Sequence, residues 1–186
     1  MTDVPVLRSP DGQVLLRAHR GSDAPAVEEQ SQDPDMQRFT TIPVPYGPED
    51  AAGFLEHVAG MWASGTGAAW AIEVAHRFAG TVDLRFGEDW ASIGYGLAPW
   101  ARGRGVMTAA VRLALDWGFV ERGLVGVRWE ALVGNHASRR VAEKCGFLVE
   151  GTARGLSVAR GVRHDAWIGS LLATEWRAGR GVSADS

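Results

Sequence analysis

The sequence predicts a single α/β domain built on one mixed, mostly antiparallel sheet that is flanked by helices. Three observations support this fold class. Apolar runs of strand length, joined by short turns, dominate the middle of the chain. Towards the C-terminus, strand-like and helix-like patterns alternate, as is typical of α/β proteins. The length of 186 residues suits one compact domain, which we place at 1–176, followed by a frayed polar tail at 177–186.

The first third of the chain is predicted to hold one strand and two helices. Val14 to His19 has the pattern of a strand, and the acidic segment Ala26 to Gln32 follows a proline at a typical helix start. Thr40 to Pro48 carries three prolines and is therefore expected to be irregular. From Glu49 onwards, apolar residues recur at helical spacing until Gly65 ends the second helix.

The middle of the chain predicts a meander of three antiparallel strands. These strands are Ala68 to Ala75, Phe78 to Phe86 and Trp90 to Ala98, with turn-like residues between them. An amphipathic helix follows from Val106 and ends near Gly118 to Gly123.

The last third alternates strands with a helix. Leu124 to Val133 is predicted as a strand, and Asn135 begins a helix that Gly146 ends. Two closing strands are expected near Phe147 to Thr152 and Arg163 to Leu172.

A glycine-rich turn, Arg102-Gly103-Arg104-Gly105, stands where a strand passes into the helix that begins at Val106. At such a place exposed backbone N–H groups and the helix dipole favour an anion. The glycines allow phosphate oxygens to approach the backbone, and the arginines can add charge-assisted hydrogen bonds. The turn therefore predicts a phosphate site, although a solvated glycine turn remains the alternative.

Two other phosphate motifs fit this turn poorly. A Walker A loop needs Lys after its last glycine, but the only lysine of the chain is Lys144. The dinucleotide fingerprint matches Gly103 and Gly105 but places Thr108 where Gly or Ala is needed for close helix packing. Dinucleotide binding therefore stays an alternative that the turn supports poorly.

Composition excludes several further classes. The net charge of -3 offers no global field for nucleic-acid backbones, so bulk nucleic-acid binding is not expected. The single cysteine, Cys145, cannot form an intrachain disulfide, and no run has the form of a signal peptide or membrane span. We therefore expect a cytosolic protein without a membrane partner. His19, His57, His76 and His164 lack metal-ligand spacing, so no metal site is predicted.

The turn resembles the signature of the GNAT acetyltransferase superfamily, Arg/Gln-x-x-Gly-x-Gly/Ala, with Arg102 first, Gly105 fourth and Met107 departing at the last position. A methionine there is similar to the RimJ/RimL-type branch. A second segment, Asn135 to Phe147, resembles that branch's Asn-x-x-Ser followed by Glu-Lys-x-Gly-Phe. The similarity covers roughly Trp70 to Leu172.

The resemblance implies a sheet that is splayed at its centre, with the pantetheine arm of CoA between the strand ending at Leu97 and the strand over Leu124 to Val133. It implies cofactor contacts at Leu97, Ala98, Pro99, Arg102, Gly103, Arg104, Gly105, Val106, Met107, Thr108, Asn135 and Ser138. Asn135 is also a typical helix N-cap, and Ser138 can satisfy an N-terminal backbone group, so a purely structural role stays open for both.

Acyl transfer needs a neutral amine, a stabilised oxyanion and a proton for the departing thiolate. We expect a backbone N–H near Leu97 to stabilise the oxyanion and Ser138 to donate the proton. The superfamily often uses a tyrosine further along, where neither Tyr46 nor Tyr95 lies, and a water is the alternative. The candidate general bases are Glu73, Asp83, Glu130 and His136, of which we choose Glu130.

Some residues admit a functional or a packing interpretation. Cys145 is expected to be buried packing rather than an acyl-cysteine nucleophile, so direct attack in a ternary complex is predicted. Trp129 is expected in the core. Arg38 to Tyr46 is the expected place of an acceptor-binding lid or of a loop that covers the sheet edge.

The sequence thus predicts an N-acyltransferase that moves an acetyl or larger acyl group from CoA to a primary amine. A protein N-terminus is favoured as the acceptor because an α-amine is partly neutral at pH 7 and needs only a weak base. The alternatives are a small-molecule amine acceptor and a catalytically silent acyl-CoA-binding module. A homodimer is also compatible with the pattern.

Overall fold

A computed structural model describes residues 4–179 of the chain. The strands are β1 Leu7–Arg8, β2 Leu15–Arg17, β3 Gly67–Val74, β4 Arg77–Phe86, β5 Trp90–Leu97, β6 Gly126–Leu132, β7 Leu148–Ala159 and β8 Val162–Leu172. The helices are α1 Ala24–Ser31, α2 Pro34–Phe39, α3 Pro48–Ser64, α4 Val106–Val120, α5 His136–Lys144 and α6 Ala173–Gly179.

The eight strands form one sheet in the order β1-β2-β3-β4-β5-β6-β8-β7. Every neighbouring pair is antiparallel except β5 and β6, which run parallel and are joined by the crossover through α4. This confirms the predicted fold class of a mixed, mostly antiparallel sheet flanked by helices.

The sheet opens between β5 and β6. Only Trp90 to Ile93 of β5 pair with β6, where their partners are Gly126 to Trp129. Beyond these residues β5 continues beside β4 and β6 continues beside β8, so a gap separates the two strands. The predicted central splay is therefore present, and it exposes unpaired backbone on both sides of the gap.

The two faces of the sheet differ around this gap. The face under α4 and α5 carries the main core, which includes Val82, Leu84, Ile93, Val127 and Trp129. Because successive residues of a strand point to opposite faces, their neighbours lie on the other face. These neighbours are Asp83, Arg85, Ser92, Arg128 and Glu130. Helices α1 and α3 cover that second face over β3 and β4, where Ala69, Ala71 and Phe78 are buried, and Gln30 of α1 also lies against Gly96 of β5.

Four parts of the fold differ from the expectation. The short strand β1 and the six-residue helix α2 had no prediction, because elements of that length show too little periodicity. The hairpin strand β7 extends to Ala159 instead of Thr152. Helix α6 continues to Gly179, into the expected tail at 177–186, and packs Trp176 against Phe119. Residues 180–186 of that tail lie outside the described residues.

Within residues 4–179, no helix combines the length and the apolar character that crossing a membrane would require. The expectation of a homodimer stays a prediction.

Candidate active site

Two cavities meet at the gap in the sheet. The first, which we call the turn cavity, has a volume of about 480 Å³ and is lined by the glycine-rich turn, the start of α4 and the start of α5. The second, the sheet cavity, has a volume of about 830 Å³ and lies over β5, β6, β7 and β8. Both cavities are bordered by Phe39, Thr40, Tyr95, Asn135 and Ser138.

The glycine-rich turn leads directly into α4, with Gly105 as its N-cap. Gly105 has a φ of 78°, a left-handed conformation that glycine adopts without steric cost, and no heavy atom would contact an added Cβ there. The side chains of Val106 and Met107 are buried. These residues and Thr108 therefore offer the cavity the free N–H groups of the first helical turn.

Arg102 does not extend into open space. Its guanidinium pairs with Asp33 at 2.5 Å and with Asp35 at 3.3 Å, and its Nε donates to the carbonyl oxygen of Leu97 at 3.2 Å. Asp33 is also the N-cap of α2, because its Oδ1 accepts from the Met36 N–H. Arg102 thus links α2 to the turn through these ion pairs. A phosphate would have to compete with the two carboxylates for the Arg102 side chain. The Arg104 side chain is exposed and lines neither cavity.

The end of β5 presents alternate backbone groups to the gap. The Ala98 N–H donates to the Ala79 carbonyl on the β4 side, and Pro99 has no N–H. Because backbone direction alternates along a strand, the N–H and C=O of Leu97 point the other way, towards the gap. Of the three expected positions, only Leu97 lines the turn cavity.

Asn135 acts as the N-cap of α5. Its Oδ1 accepts a hydrogen bond from the Ser138 N–H at 3.1 Å, which is the structural alternative that the sequence had left open. Its Nδ2 has no hydrogen-bond partner among residues 4–179. Since Asn135 borders both cavities, that amide remains available to a ligand.

Ser138 joins two strands across the gap. Its Oγ accepts from Trp129 Nε1 at 3.0 Å and donates to the Tyr95 hydroxyl at 3.1 Å. The Tyr95 hydroxyl in turn donates to the Ser138 carbonyl oxygen at 2.9 Å. Burial raises the pKa of Tyr95 well above its usual value, so this phenol stays protonated at neutral pH.

Tyr95 is the site residue that sequence reasoning missed. It lies 43 residues before Ser138, and its place on the splayed strand gives no local motif. Tyr95 lies two residues after Ile93, so the two side chains point to the same face of β5. Because Ile93 packs in the core, this spacing was the available signal that the Tyr95 side chain points inward. The same network buries Trp129 to 2% exposure, so the expected core position of Trp129 is confirmed.

Of the candidate bases, only Glu130 lines the sheet cavity, where its carboxylate accepts from the Ser157 hydroxyl. Glu73 is buried in an ion pair with Arg17 at 2.6 Å and borders neither cavity.

The other two candidates have different surroundings. Asp83 pairs with Arg85 at 3.1 Å, and burial raises the pKa of its carboxyl. His136 borders the turn cavity but packs its ring against Trp167.

Cys145 is 3% exposed and its Sγ contacts the Thr108 carbonyl oxygen at 3.7 Å. Burial raises the pKa of the thiol to about 11, which disfavours a nucleophilic thiolate. The expected buried position of Cys145 is therefore confirmed. In the part of the chain that the structure describes, no cluster of His, Cys, Asp and Glu could hold a metal ion.

A family model described as the acetyltransferase (GNAT) domain matches residues 13–148. Over 86 residues, the chain is 44% identical to the "Putative ribosomal N-acetyltransferase YdaF" of Bacillus subtilis (strain 168). This match covers 46% of the chain and 47% of that protein. The chain spans about half the length of the curated relatives it matches.

Solved structures share the whole fold. A GNAT-family acetyltransferase from Bacillus anthracis superposes with a TM-score of 0.81 at 23% identity, covering 92% of this chain and all of that one. Mycobacterium smegmatis RimJ in complex with CoA-disulfide gives a TM-score of 0.79 at 23% identity, covering 96% and 94% of the two chains. At such identities the likeness concerns the fold alone.

Proposed function

We propose that this chain, which belongs to the GNAT acetyltransferase family, transfers an acetyl group from acetyl-CoA directly to a primary amine. The observation that carries the proposal is the meeting of two cavities at the gap between β5 and β6. A thioester that enters through the turn cavity can there meet an amine that enters through the sheet cavity.

The turn cavity suits the pyrophosphate and pantetheine of CoA. Backbone N–H groups at the start of α4 face it, and the glycines of the turn leave room for phosphate oxygens. The gap-facing backbone of Leu97 can pair with the extended arm as an added strand would. Asn135 can add its free Nδ2 near the thioester. Acetyl-CoA supplies an activated thioester, and the chain's own residues position it.

Four groups of the chain serve the transfer. The Leu97 N–H is the candidate donor to the oxyanion that forms at the acyl carbon. As the amine nitrogen bonds to that carbon and the C–S bond breaks, Ser138 Oγ gives a proton to the thiolate. The Tyr95 hydroxyl accepts from Ser138 Oγ and so holds that hydroxyl in place, and water returns a proton to Ser138 Oγ after the transfer. Glu130, in the sheet cavity, is the candidate acceptor of the amine's proton, directly or through water.

A protein or peptide N-terminus is the acceptor we favour. The sheet cavity is open and broad, and it carries the carboxylates of Glu130 and Glu150. Neither carboxylate has a basic side chain within 4.0 Å among the described residues, so each can attract a protonated amine. The name of the Bacillus subtilis relative, a ribosomal N-acetyltransferase, supports the same choice. Such an acceptor is met in the cytoplasm, where we expect the protein to act.

Calorimetric titration with acetyl-CoA tests the donor side. Gly105→Glu is expected to abolish binding, because it adds a negative charge at the phosphate site. Gly123→Glu is the matched control, since Gly123 has a similar φ of 71° and equally open surroundings after the far end of α4. Equal binding by both variants would contradict the proposed cofactor site.

Thiol release from acetyl-CoA tests the activity itself. We expect release with N-terminal peptides and slower release with small amines. Binding of acetyl-CoA without thiol release for any amine would indicate a catalytically silent CoA-binding module. Faster thiol release with small amines than with peptides would indicate a small-molecule amine as the acceptor.

A further inference from the structure

Four adjacent strands place a row of polar side chains across the floor of the sheet cavity. Arg85 is in register with Ser92, and Ser92 with Arg128. Arg128 is in register with Ser170, and all four line the cavity. Neighbouring strands lie about 4.8 Å apart, so the two arginine Cα atoms are roughly 10 Å apart with Ser92 between them. Side chains of this length can converge on one anion above Ser92.

The two guanidinium groups are available to such an anion. Arg128 has no carboxylate within 4.0 Å among residues 4–179, and its guanidinium lies 5.1 Å from the Trp90 ring centroid. Arg85 is 56% exposed and uses its Nε for Asp83. Its terminal NH2 lies over Gly94, at the edge of the gap. The Arg85 guanidinium therefore lies on the gap side of Ser92 and the Arg128 guanidinium on its Trp90 side, so an anion above Ser92 would lie between them.

The next row of the same face is acidic. Asp83 and Glu130 stand two residues from Arg85 and Arg128 along their strands, roughly 7 Å away. Glu130 is the first residue of β6 beyond the last pair with β5, and so it borders the gap. Glu150, which accepts from the Ser170 hydroxyl, borders the arginine row on its outer side. The anion is therefore expected between the arginines, and the amine at the gap.

We infer that Arg85 and Arg128 form an anion subsite for the acceptor. The inference rests on the proposed function and names its substrate class, a peptide whose second residue is Asp or Glu. In an extended peptide the α-amine and the side-chain carboxylate of the second residue lie roughly 6 Å apart, close to the spacing of about 7 Å between the two rows. A small amine that carries a phosphate offers the same chemistry from another source, so the experiment includes one.

The test compares kcat/KM for Ser-Asp and Ser-Asn peptides of otherwise equal sequence, with phosphoethanolamine as the small amine. The wild-type protein is expected to favour the Ser-Asp peptide about tenfold through KM, the effect of one charge-assisted hydrogen bond. Arg128→Gln and Arg85→Gln each reduce this preference, and Arg128→Lys restores part of it. Arg122→Gln, which removes an exposed arginine stacked on Phe86, leaves it unchanged.

The outcomes separate the inference from the proposed function. Equal transfer to both peptides, or an unchanged preference in Arg128→Gln, overturns the subsite and leaves the acetyltransferase activity standing. Preference for phosphoethanolamine over both peptides overturns the peptide assignment. No transfer to any amine overturns the proposed function and the inference with it.

Discussion

The Arg102 guanidinium and the Asp33 carboxylate lie 2.5 Å apart, although 69 residues separate them in sequence. Burial works to raise the pKa of Asp33, but the hydrogen bonds from Arg102 and the Met36 N–H lower it overall. The pair joins the glycine-rich turn to α2, whose Met36 and Phe39 line the turn cavity. The shape of the turn cavity therefore depends on a contact between two distant parts of the chain.

Asp33→Asn is expected to remove this ion pair and keep the N-cap of α2, because asparagine caps a helix as well as aspartate does. We expect a loss of roughly 1 kcal/mol in the free energy of unfolding, as for a partly exposed charge pair, and weaker acetyl-CoA binding. Urea unfolding and calorimetry measure the two effects. Asp35→Asn is the control, since Asp35 is 68% exposed and lies 3.3 Å from Arg102. Equal losses in both variants would contradict a special role for Asp33.

Ser138→Ala is expected to lower kcat about a hundredfold, because it removes the proposed proton donor. Tyr95→Phe should lower kcat by a smaller factor, since Ser138 loses its partner but keeps its own hydroxyl. KM for acetyl-CoA should change little in both. Steady-state kinetics provide the measurement.

Tyr46→Phe is the control for losing a phenolic hydroxyl, because Tyr46 is buried among α1 and α3 and lines neither cavity. If Ser138→Ala kept full kcat, the proton would have to come from water.

Cys145→Ala is expected to keep kcat within about twofold, since burial raises the thiol pKa to about 11 and leaves almost no thiolate at pH 7. Stability should fall modestly, because the side chain is packed in the main core. Mass spectrometry during turnover should detect no acetylated enzyme. An acetyl-Cys145 adduct that forms and decays at the rate of turnover would instead establish a two-step mechanism.

The lowered pKa of the His19 side chain makes the stability of the protein depend on pH. Burial lowers the pKa of His19 from 6.5 to about 4, and its buried Nδ1 has no hydrogen-bond partner within residues 4–179. The unfolded chain therefore binds more protons between these pH values, and stability falls as pH drops through this window. Between pH 7.5 and pH 5 the expected loss from this group is about 2 kcal/mol.

His19→Gln should remove that part of the pH dependence, and His164→Gln, at an exposed position of β8, should not. Urea unfolding at the two pH values measures both. An unchanged pH dependence in His19→Gln would mean that other groups dominate the effect.

Most of the fold was predictable because its elements are long and periodic. The helix after the turn, the meander β3 to β5 and the strand β6 each bury a face whose spacing shows in the sequence. Helix α2 was missed because six residues do not show a period, although Asp33 and Pro34 mark a helix start.

Local features of this protein can be predicted from its sequence: the glycine-rich turn, the N-cap at Asn135 and the order of the longer strands and helices along the chain. Each depends on residues close together in the chain, so spacing and residue type suffice to predict it. Only the folded chain shows which distant groups lie near one another: Tyr95 contacts Ser138, Arg102 contacts Asp33, and Arg85 and Arg128 lie on either side of Ser92. Strand register and the packing of helices and turns against the sheet set these positions, because both depend on residues that are far apart in the sequence.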